Sequence, residues 1–409
     1  MPLSVPIPLT LTPLGAPEEE LLCGRAAEVE TILENCRASR LTVVTSTSGL
    51  GASSLLRAGA EPVLRREGFV TVIYSDWQGR SVASRLREAI VSAVHEQTDG
   101  GFIPLPGQLL ELLTSAQAKI GRPIAVLLDQ FEDYVRCHAG TDVSDDFDAE
   151  LANAISTRSG RFVIALQTPS VTAFERLSQY IPNLMGFTIN LPPLTSEAAK
   201  DLIRGTAARA GIEIEPAAVD LLLATPIAAV KADADRPAGV HPLFVKLGAE
   251  RLLEAELNLK SKVARASTLQ ANGGADRLIL DSLDLGLQQL GATHGELLFR
   301  WIPLLLTPDG RRADVSEKVL LEHAGKWNRF AMTLLPVLVK SGLIRTVATQ
   351  AGLRYEFGRE STTVVVQDWW IRAEALIVAR RRAQFRVRSI SIAVGAIVLL
   401  YVAYLFLKR

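Results

Sequence analysis

The sequence predicts an α/β fold: a parallel sheet covered by helices on both faces, followed by helical domains and one C-terminal transmembrane helix. Three observations carry this. Short β-branched runs alternate with amphipathic helical stretches from Leu41 to Leu191. After Pro192-Pro193 those runs stop and helical periodicity takes over. Near the end, Ser389–Leu407 is 19 residues without a charge.

Residues 1–18 are Pro-rich and are expected to be irregular. Glu19–Arg37 reads as a turn and then a helix, with Ala27, Val29, Ile32 and Leu33 apolar. Leu41–Thr45 is the first buried strand. A Ser/Thr/Gly loop leads into a helix over Ser53–Glu67, which Pro62 is expected to bend. Phe69–Tyr74 is a second strand and Ser81–Gln97 a helix. Gly100–Gly107 is a Gly/Pro loop, and Leu109–Gly121 is helical. Ile124–Leu128 is a third strand, Phe147–Ser159 a helix, Arg161–Gln167 a fourth strand and Phe187–Leu191 a short fifth. Residues 19–192 thus form one α/β domain.

Thr195–Ala210, Glu215–Leu223 and Pro242–Leu257 are helical, giving a small helical domain over 193–258. Residues 259–275 are polar and read as a linker. In 276–379, helical stretches Asp276–Leu306, Ser316–His323 and Trp327–Ser341 precede two extended runs, Leu343–Thr349 and Leu353–Phe357, joined by Gln350-Ala351-Gly352. Three helices and a two-stranded wing describe a winged-helix domain, with a generic α+β lobe as the alternative. Thr362–Arg382 reads as a helix leading into the apolar segment.

Acids and bases balance at 44 each over 409 residues, but unevenly. Arg380, Arg381, Arg382, Arg386, Arg388, Lys408 and Arg409 lie in a tail without acids, which leaves the first 379 residues at −7. An acidic body argues against nucleic acid as a partner. Cys23, Cys36 and Cys137 show no metal spacing and suit a reducing compartment. The N-terminus lacks the charged region of a signal peptide. A helix over Ser389–Leu407 would span ~28 Å, about a bilayer's hydrocarbon core. The juxtamembrane arginines 380–388 on its N-terminal side predict a single-pass protein of the inner or cytoplasmic membrane, its body in the cytoplasm, with the lipid bilayer as a partner. A buried core helix is the alternative for this segment.

The chemistry sits on Leu41–Gly59. Strand, Gly-rich loop and helix are the layout of a phosphate-binding P-loop, whose backbone N–H groups and helix N-terminus cradle an anion. The pattern G-x-x-x-x-G-K-[ST] is broken twice: Ser46 takes the first Gly, and Ala52 takes the Lys. Gly51 and Ser53 are in place. A plain Ser/Gly turn is the alternative for the loop taken alone. Some 80 residues on, Asp129-Gln130-Phe131-Glu132-Asp133 ends an apolar strand, where a P-loop fold puts its Mg²⁺ acid. Asp129 is that acid; Glu132 and Asp133 are candidates to polarise a water, and all three are catalytic only if the protein is active.

Four stretches together resemble the novel STAND NTPases, signal-transduction ATPases related to AAA+ proteins. Leu22-Cys23-Gly24-Arg25, then Glu28, is similar to the family's F-x-G-R-x-x-E. Ser48-Gly49-Leu50-Gly51-Ala52-Ser53-Ser54-Leu55-Leu56-Arg57-Ala58-Gly59 resembles S-G-S-G-K-S-S-L-L-R-A-G. Asp129-Gln130-Phe131-Glu132 matches D-Q-F-E, and Leu191-Pro192-Pro193-Leu194 resembles L-x-P-L. The resemblance covers roughly residues 10–380. It implies a P-loop NTPase domain, a helical lid and an internal winged helix. It also implies roles. Gly24 and Arg25 would lie near adenine and ribose. Gly49, Gly51, Ala52, Ser53 and Ser54 would surround the phosphates, with Ser53 and Asp129 on Mg²⁺. His241-Pro242 would be the lid's nucleotide sensor, with a helix-capping role as the alternative for His241.

Three departures accompany it. Ala52 replaces the Lys that pairs with the phosphates; Gln167 stands where the family has a sensor arginine; Arg359 stands where its winged helix has a histidine. One lost charge-assisted contact costs about 1.5–3 kcal/mol. ATP or ADP with Mg²⁺ is therefore expected to bind weakly or not at all. The leading reading is a membrane-anchored signalling switch or assembly scaffold with weak or absent ATP hydrolysis, acting as a homo-oligomer or with signalling partners. An active ATPase of a stress or defence pathway, with another cation replacing the Lys, is the second reading. For that role only Arg57 is at hand in the loop helix, and it is expected to face elsewhere. A membrane-bound DNA-binding regulator is the third. Its recognition helix, Trp327–Ser341, has only Arg329 and Lys340 as bases, interrupted by Pro336.

Overall fold

Side chains alternate along a strand, so adjacent apolar residues must find two separate cores. In β1 (Leu41–Ser46) Val43 and Val44 are both fully buried, one on each face. The computed structural model describes residues 13–77, 81–98, 107–138, 142–224, 229–230, 238–278, 292–308, 312–340, 343–349 and 352–358, and beyond these Thr363, Val366, Gln367, Trp369, Trp370, Ile371 and Glu374. β1 is flanked by β4 (Arg161–Gln167) and β5 (Thr188–Asn190). β3 (Ile124–Leu128) joins β4 to β2 (Val70–Tyr74), giving the parallel order β2-β3-β4-β1-β5.

One face is covered by α3 (Val82–Gln97), α4 (Leu109–Ile120) and α6 (Asp142–Ser156). The other carries α1 (Ala26–Ala38) and the loop helix α2. α2 runs through three consecutive pieces, Ala52–Ser54, Leu55–Ala60 and Glu61–Arg66, the middle one a π turn. Its wide turn lets Glu61 N–H reach Leu56 C=O just ahead of Pro62, which has no N–H to give. The expected bend is thus an over-wide turn in one continuous helix.

Two further differences concern the sheet domain. A helix not foreseen, α5 (Phe131–His138), follows β3 at once, burying Phe131, Tyr134, Val135 and His138 on one face. Its acids hide that periodicity. α6 begins five residues ahead of the expected Phe147, over an acid-rich start that favours a helix N-terminus but has no apolar period.

α7 (Ser196–Arg209), β6 (Glu213–Ile214), α8 (Pro216–Leu223) and α9 (Pro242–Asn258) make up the helical unit expected as a lid, and are called the lid for short. Two short strands between α8 and α9, β7 (Ala229–Val230) and β8 (Gly239–Val240), pair antiparallel. The stretch 259–275, expected as a linker, is folded. β9 (Val263–Ala264) pairs with β6, and α10 (Ala266–Ala271) follows. Only Ala264, Leu269 and Ala275 of this polar stretch enter the core, too few to signal structure in the sequence.

The last domain has α11 (Ala292–Trp301), α12 (Glu317–Ala324) and α13 (Asn328–Lys340) with an antiparallel sheet. β11 (Ile344–Thr349) and β12 (Gly352–Phe357) were expected; β10 (Val315–Ser316) adds a third strand against β12. Lid and last domain share one hydrophobic core, from Leu202 and Phe244 to Leu334 and Phe357. Most of the expected helix Thr362–Arg382, the basic segment 380–388 and the apolar segment 389–407 lie outside the described residues, as do Gln350, Ala351 and Arg359. Among the described residues no helix is long and apolar enough to cross a membrane.

Candidate phosphate-binding site

Gly49 and Gly51 carry φ of 79° and 98°, a conformation that side chains resist. The two glycines turn the chain from β1 into α2, leaving Gly51 as the residue before the helix. The α2 N-terminus, with its unpaired N–H groups and positive dipole end, faces a cavity lined by Ser46–Ser54. Asp129, Gln130, Glu132 and Gln167 line its far side; Pro242, Leu243 and Lys246 of the lid close it, and Leu14, Leu21 and Leu22 supply an apolar flank.

Ser53 Oγ donates to Asp129 Oδ1 at 2.8 Å. β1 and β3, with β4 between them, bring these two oxygens together across the sheet. Arg57 also reaches Asp129, with Nη2 3.4 Å from Oδ2. This corrects the expectation that Arg57 faces elsewhere: Ser53 and Arg57 are four apart on a helix and share a face. Burial raises the Asp129 pKa, opposed by the Arg57 charge and the Ser53 hydroxyl. Behind it, Trp77 Nε1–H donates to Asp129 C=O at 2.7 Å, and the indole packs edge-on against Tyr74 and Phe131. Gln130, at φ 55°, turns β3 into α5.

Glu132 and Asp133 are both buried but live differently. Glu132 Oε2 accepts from Gln167 N–H at 3.3 Å. Burial and the neighbouring Asp133 charge push its pKa up to about 8. Asp133 lines no part of the cavity; it turns towards the last domain, where Arg345 Nη2 is 2.7 Å and Arg312 Nη2 3.1 Å away. Against the burial penalty, Arg312 and Arg345 hold its carboxyl well below the usual range. Of the two acids, only Glu132 is placed to act on the cavity.

Arg25 lines the cavity but is committed elsewhere: it donates to Leu50 C=O at 3.0 Å and Pro192 C=O at 2.8 Å, and pairs with Glu28. Gly24 is a packing glycine, since a Cβ there would meet the Ala198 methyl of α7 at 2.4 Å. Ser54 Oγ accepts from Leu14 N–H at 3.0 Å. His241 precedes α9 without capping it. Its Nε2 lies 3.1 Å from Ser48 C=O, so Nε2 carries the proton, and burial lowers its pKa to about 4. The ring presses on the loop so closely that a Cβ at Gly49 would meet Cε1 at 2.3 Å.

Ala52 brings no cation, and the described cavity cations are Arg25, Lys246 and Arg312. Lys246 pairs with Glu250 at 3.0 Å. Neither Lys246 nor Arg312 was foreseen, because folding brings both from outside the sheet domain. The arrangement fits a phosphate group and one divalent cation: a loop with positive φ at two glycines, a helix N-terminus, and the Ser53–Asp129 oxygen pair. Ser53, Asp129 and the loop amides would hold them.

The family described as Novel STAND NTPase 1 matches residues 9–379. No curated protein matches the chain. Among solved structures, a Walker-type ATPase of Pyrococcus abyssi is similar at 14% identity and a TM-score of 0.46, covering 87% of this chain and 99% of that one. The ORC2 protein of Aeropyrum pernix, in ADPNP-ADP complexes, matches at 13% identity and 0.44, covering 90% and 98%. The ORC1 protein of the same organism, in complex with DNA, matches at 16% and 0.44, covering 93% and 98%. A match over residues 9–379, together with a P-loop-like turn and an acid ending β3, places the chain: it belongs to the Novel STAND NTPase 1 family.

Proposed function

We propose that this protein is a membrane-anchored STAND-type switch or assembly scaffold. In this reading its P-loop site is degraded, binding an adenine nucleotide weakly and hydrolysing it slowly or not at all. One observation carries it. The cation-binding pair Ser53–Asp129 is intact at 2.8 Å, while position 52, next to it, is an alanine. Site and charge have been separated: the magnesium end is kept and the phosphate end is weakened. Bound nucleotide with Mg²⁺ would supply the anion and metal charge that hold loop, lid and last domain together. The membrane address rests on Ser389–Leu407 and its arginine flank. The three helices and three-stranded sheet of the last domain read as an internal winged helix. Nucleic acid is not its partner in this reading, since α13 exposes Phe330 and Met332 with only two bases, Arg329 and Lys340.

The test is direct. Purified full chain should release phosphate far below the ~1–10³ per second typical of enzymes. Ala52→Lys should tighten ATP binding by about tenfold or more in calorimetry. Turnover within the enzymatic range in the unmodified protein would overturn the reading.

Arg57 favours a second reading, an active ATPase with a substitute cation, because its guanidinium lies 3.4 Å from Asp129. Its charge is engaged with the carboxylate that would hold Mg²⁺, which weighs for the first. Under the second reading, Ala52→Lys leaves ATP binding unchanged.

A further inference from the structure

Asp129 lines the cavity with its charge already met. Its side chain is buried and joins two groups of α2: Oδ1 accepts from Ser53 Oγ at 2.8 Å, and Oδ2 lies 3.4 Å from Arg57 Nη2. Ser53 lines the cavity beside Asp129, whereas Arg57 lines no part of it. The guanidinium thus reaches the carboxylate from off the cavity wall. Its Nε is buried without a hydrogen bond, so Asp129 is the group that holds this side chain. Asp129 itself is fixed by its backbone. Its N–H donates to Tyr74 C=O at 2.8 Å, and its C=O accepts from Trp77 Nε1–H at 2.7 Å. Glu132, the other acid on that wall, is turned to Gln167 N–H.

Asp133 makes the contrast. It and the equally buried Glu356 meet Arg136, Arg312 and Arg345 at 2.5 to 3.6 Å, in a cluster that joins α5 to the last domain. Neither acid lines the cavity, so those charges hold the fold. Arg57 instead matches an acid that a ligand can reach.

We propose that Arg57 is a built-in counter-cation of Asp129 which takes over the charge role of a divalent ion, so that this site binds a free nucleoside polyphosphate about as well as its magnesium complex. The inference rests on the nucleotide-binding reading above and adds a metal preference to it. The two oxygens that would hold a cation are kept, but the carboxylate charge is already matched. A divalent ion held there would be repelled by the guanidinium across a buried wall, where water screens charges little. A free polyphosphate on the loop amides would face an acid that Arg57 has neutralised, and would need no metal to mask it.

The experiment titrates detergent-solubilised full chain with ATP by calorimetry, once with excess Mg²⁺ and once with EDTA, at one ionic strength. In the unmodified protein the two affinities should agree within about threefold. Arg57→Gln bares the carboxylate and should make ATP with Mg²⁺ at least about tenfold tighter than ATP with EDTA. Arg57→Lys keeps the charge and should keep the two affinities within about threefold. Paramagnetic resonance of Mn²⁺ added with ATP should show more protein-bound ion in Arg57→Gln than in the unmodified protein. An unmodified protein that binds ATP about tenfold or more tighter with Mg²⁺ overturns the proposal and leaves nucleotide binding standing; this comparison needs no variant to fold. The same ratio in Arg57→Gln as in the unmodified protein also overturns it. Unmodified protein that binds ATP in neither condition overturns the nucleotide reading itself, and this inference with it.

Discussion

Glu132 and Asp133 are neighbours in the chain with opposite charge habits. Asp133 stays ionised among arginines, while Glu132 keeps its proton until about pH 8. Because the folded pKa of Glu132 lies above its ordinary 4.5, the unfolded chain releases the proton first. Stability from this group is complete below about pH 4.5 and is lost as pH rises towards 8. Glu132→Gln should therefore raise the melting temperature at pH 8.5 and change it little at pH 5. Equal shifts at both pH values would contradict the assignment. The sequence marked both residues as acids beside an apolar strand, but could not say which would face the cavity. That choice is made by Arg312 and Arg345, which lie about 180 and 210 residues further along the chain. Arg57 was within reach of sequence reasoning, since four-residue spacing alone puts it on the Ser53 face.

At the level of elements, β1 to β5 were legible because each is a short apolar run bounded by turn residues. The same logic failed for 259–275, whose β9 is two residues long and whose structure depends on β6 as a partner. α5 was missed because its apolar positions lie between Glu132, Asp133 and Arg136. The resemblance put His241-Pro242 near the nucleotide, but the contact of His241 with Ser48 and Gly49 of the loop comes from the fold alone. Gly49→Ala would drive a methyl into the His241 ring while straining a backbone at φ 79°. Amide exchange at the start of α9 should then accelerate by about tenfold, equivalent to about 1.4 kcal/mol of lost protection. Unchanged exchange would mean that lid and loop are not held by this contact.

Across the whole molecule, the Asp133–Glu356 cluster ties the first domain to the last. Breaking a buried ion pair from one side costs about 3–5 kcal/mol, because the partner charges stay buried. Glu356→Ala should lower unfolding stability by about that amount in urea titration, and a loss under about 1 kcal/mol would show the cluster to be incidental. A chain ending at residue 379 should move from the membrane pellet to the soluble fraction on cell fractionation; retention in the pellet would refute the anchor. The Trp77–Asp129 contact has an optical meaning. Trp77 is the sole tryptophan before residue 301, and its indole N–H is bound to the carbonyl of Asp129. With Trp301, Trp327, Trp369 and Trp370 replaced by phenylalanine, ultraviolet emission would come from Trp77 alone. The molecule thus carries its own fluorescent gauge, buried against the acid that ends β3. Any ligand that shifts Asp129 should change the colour of that emission without a dye being attached.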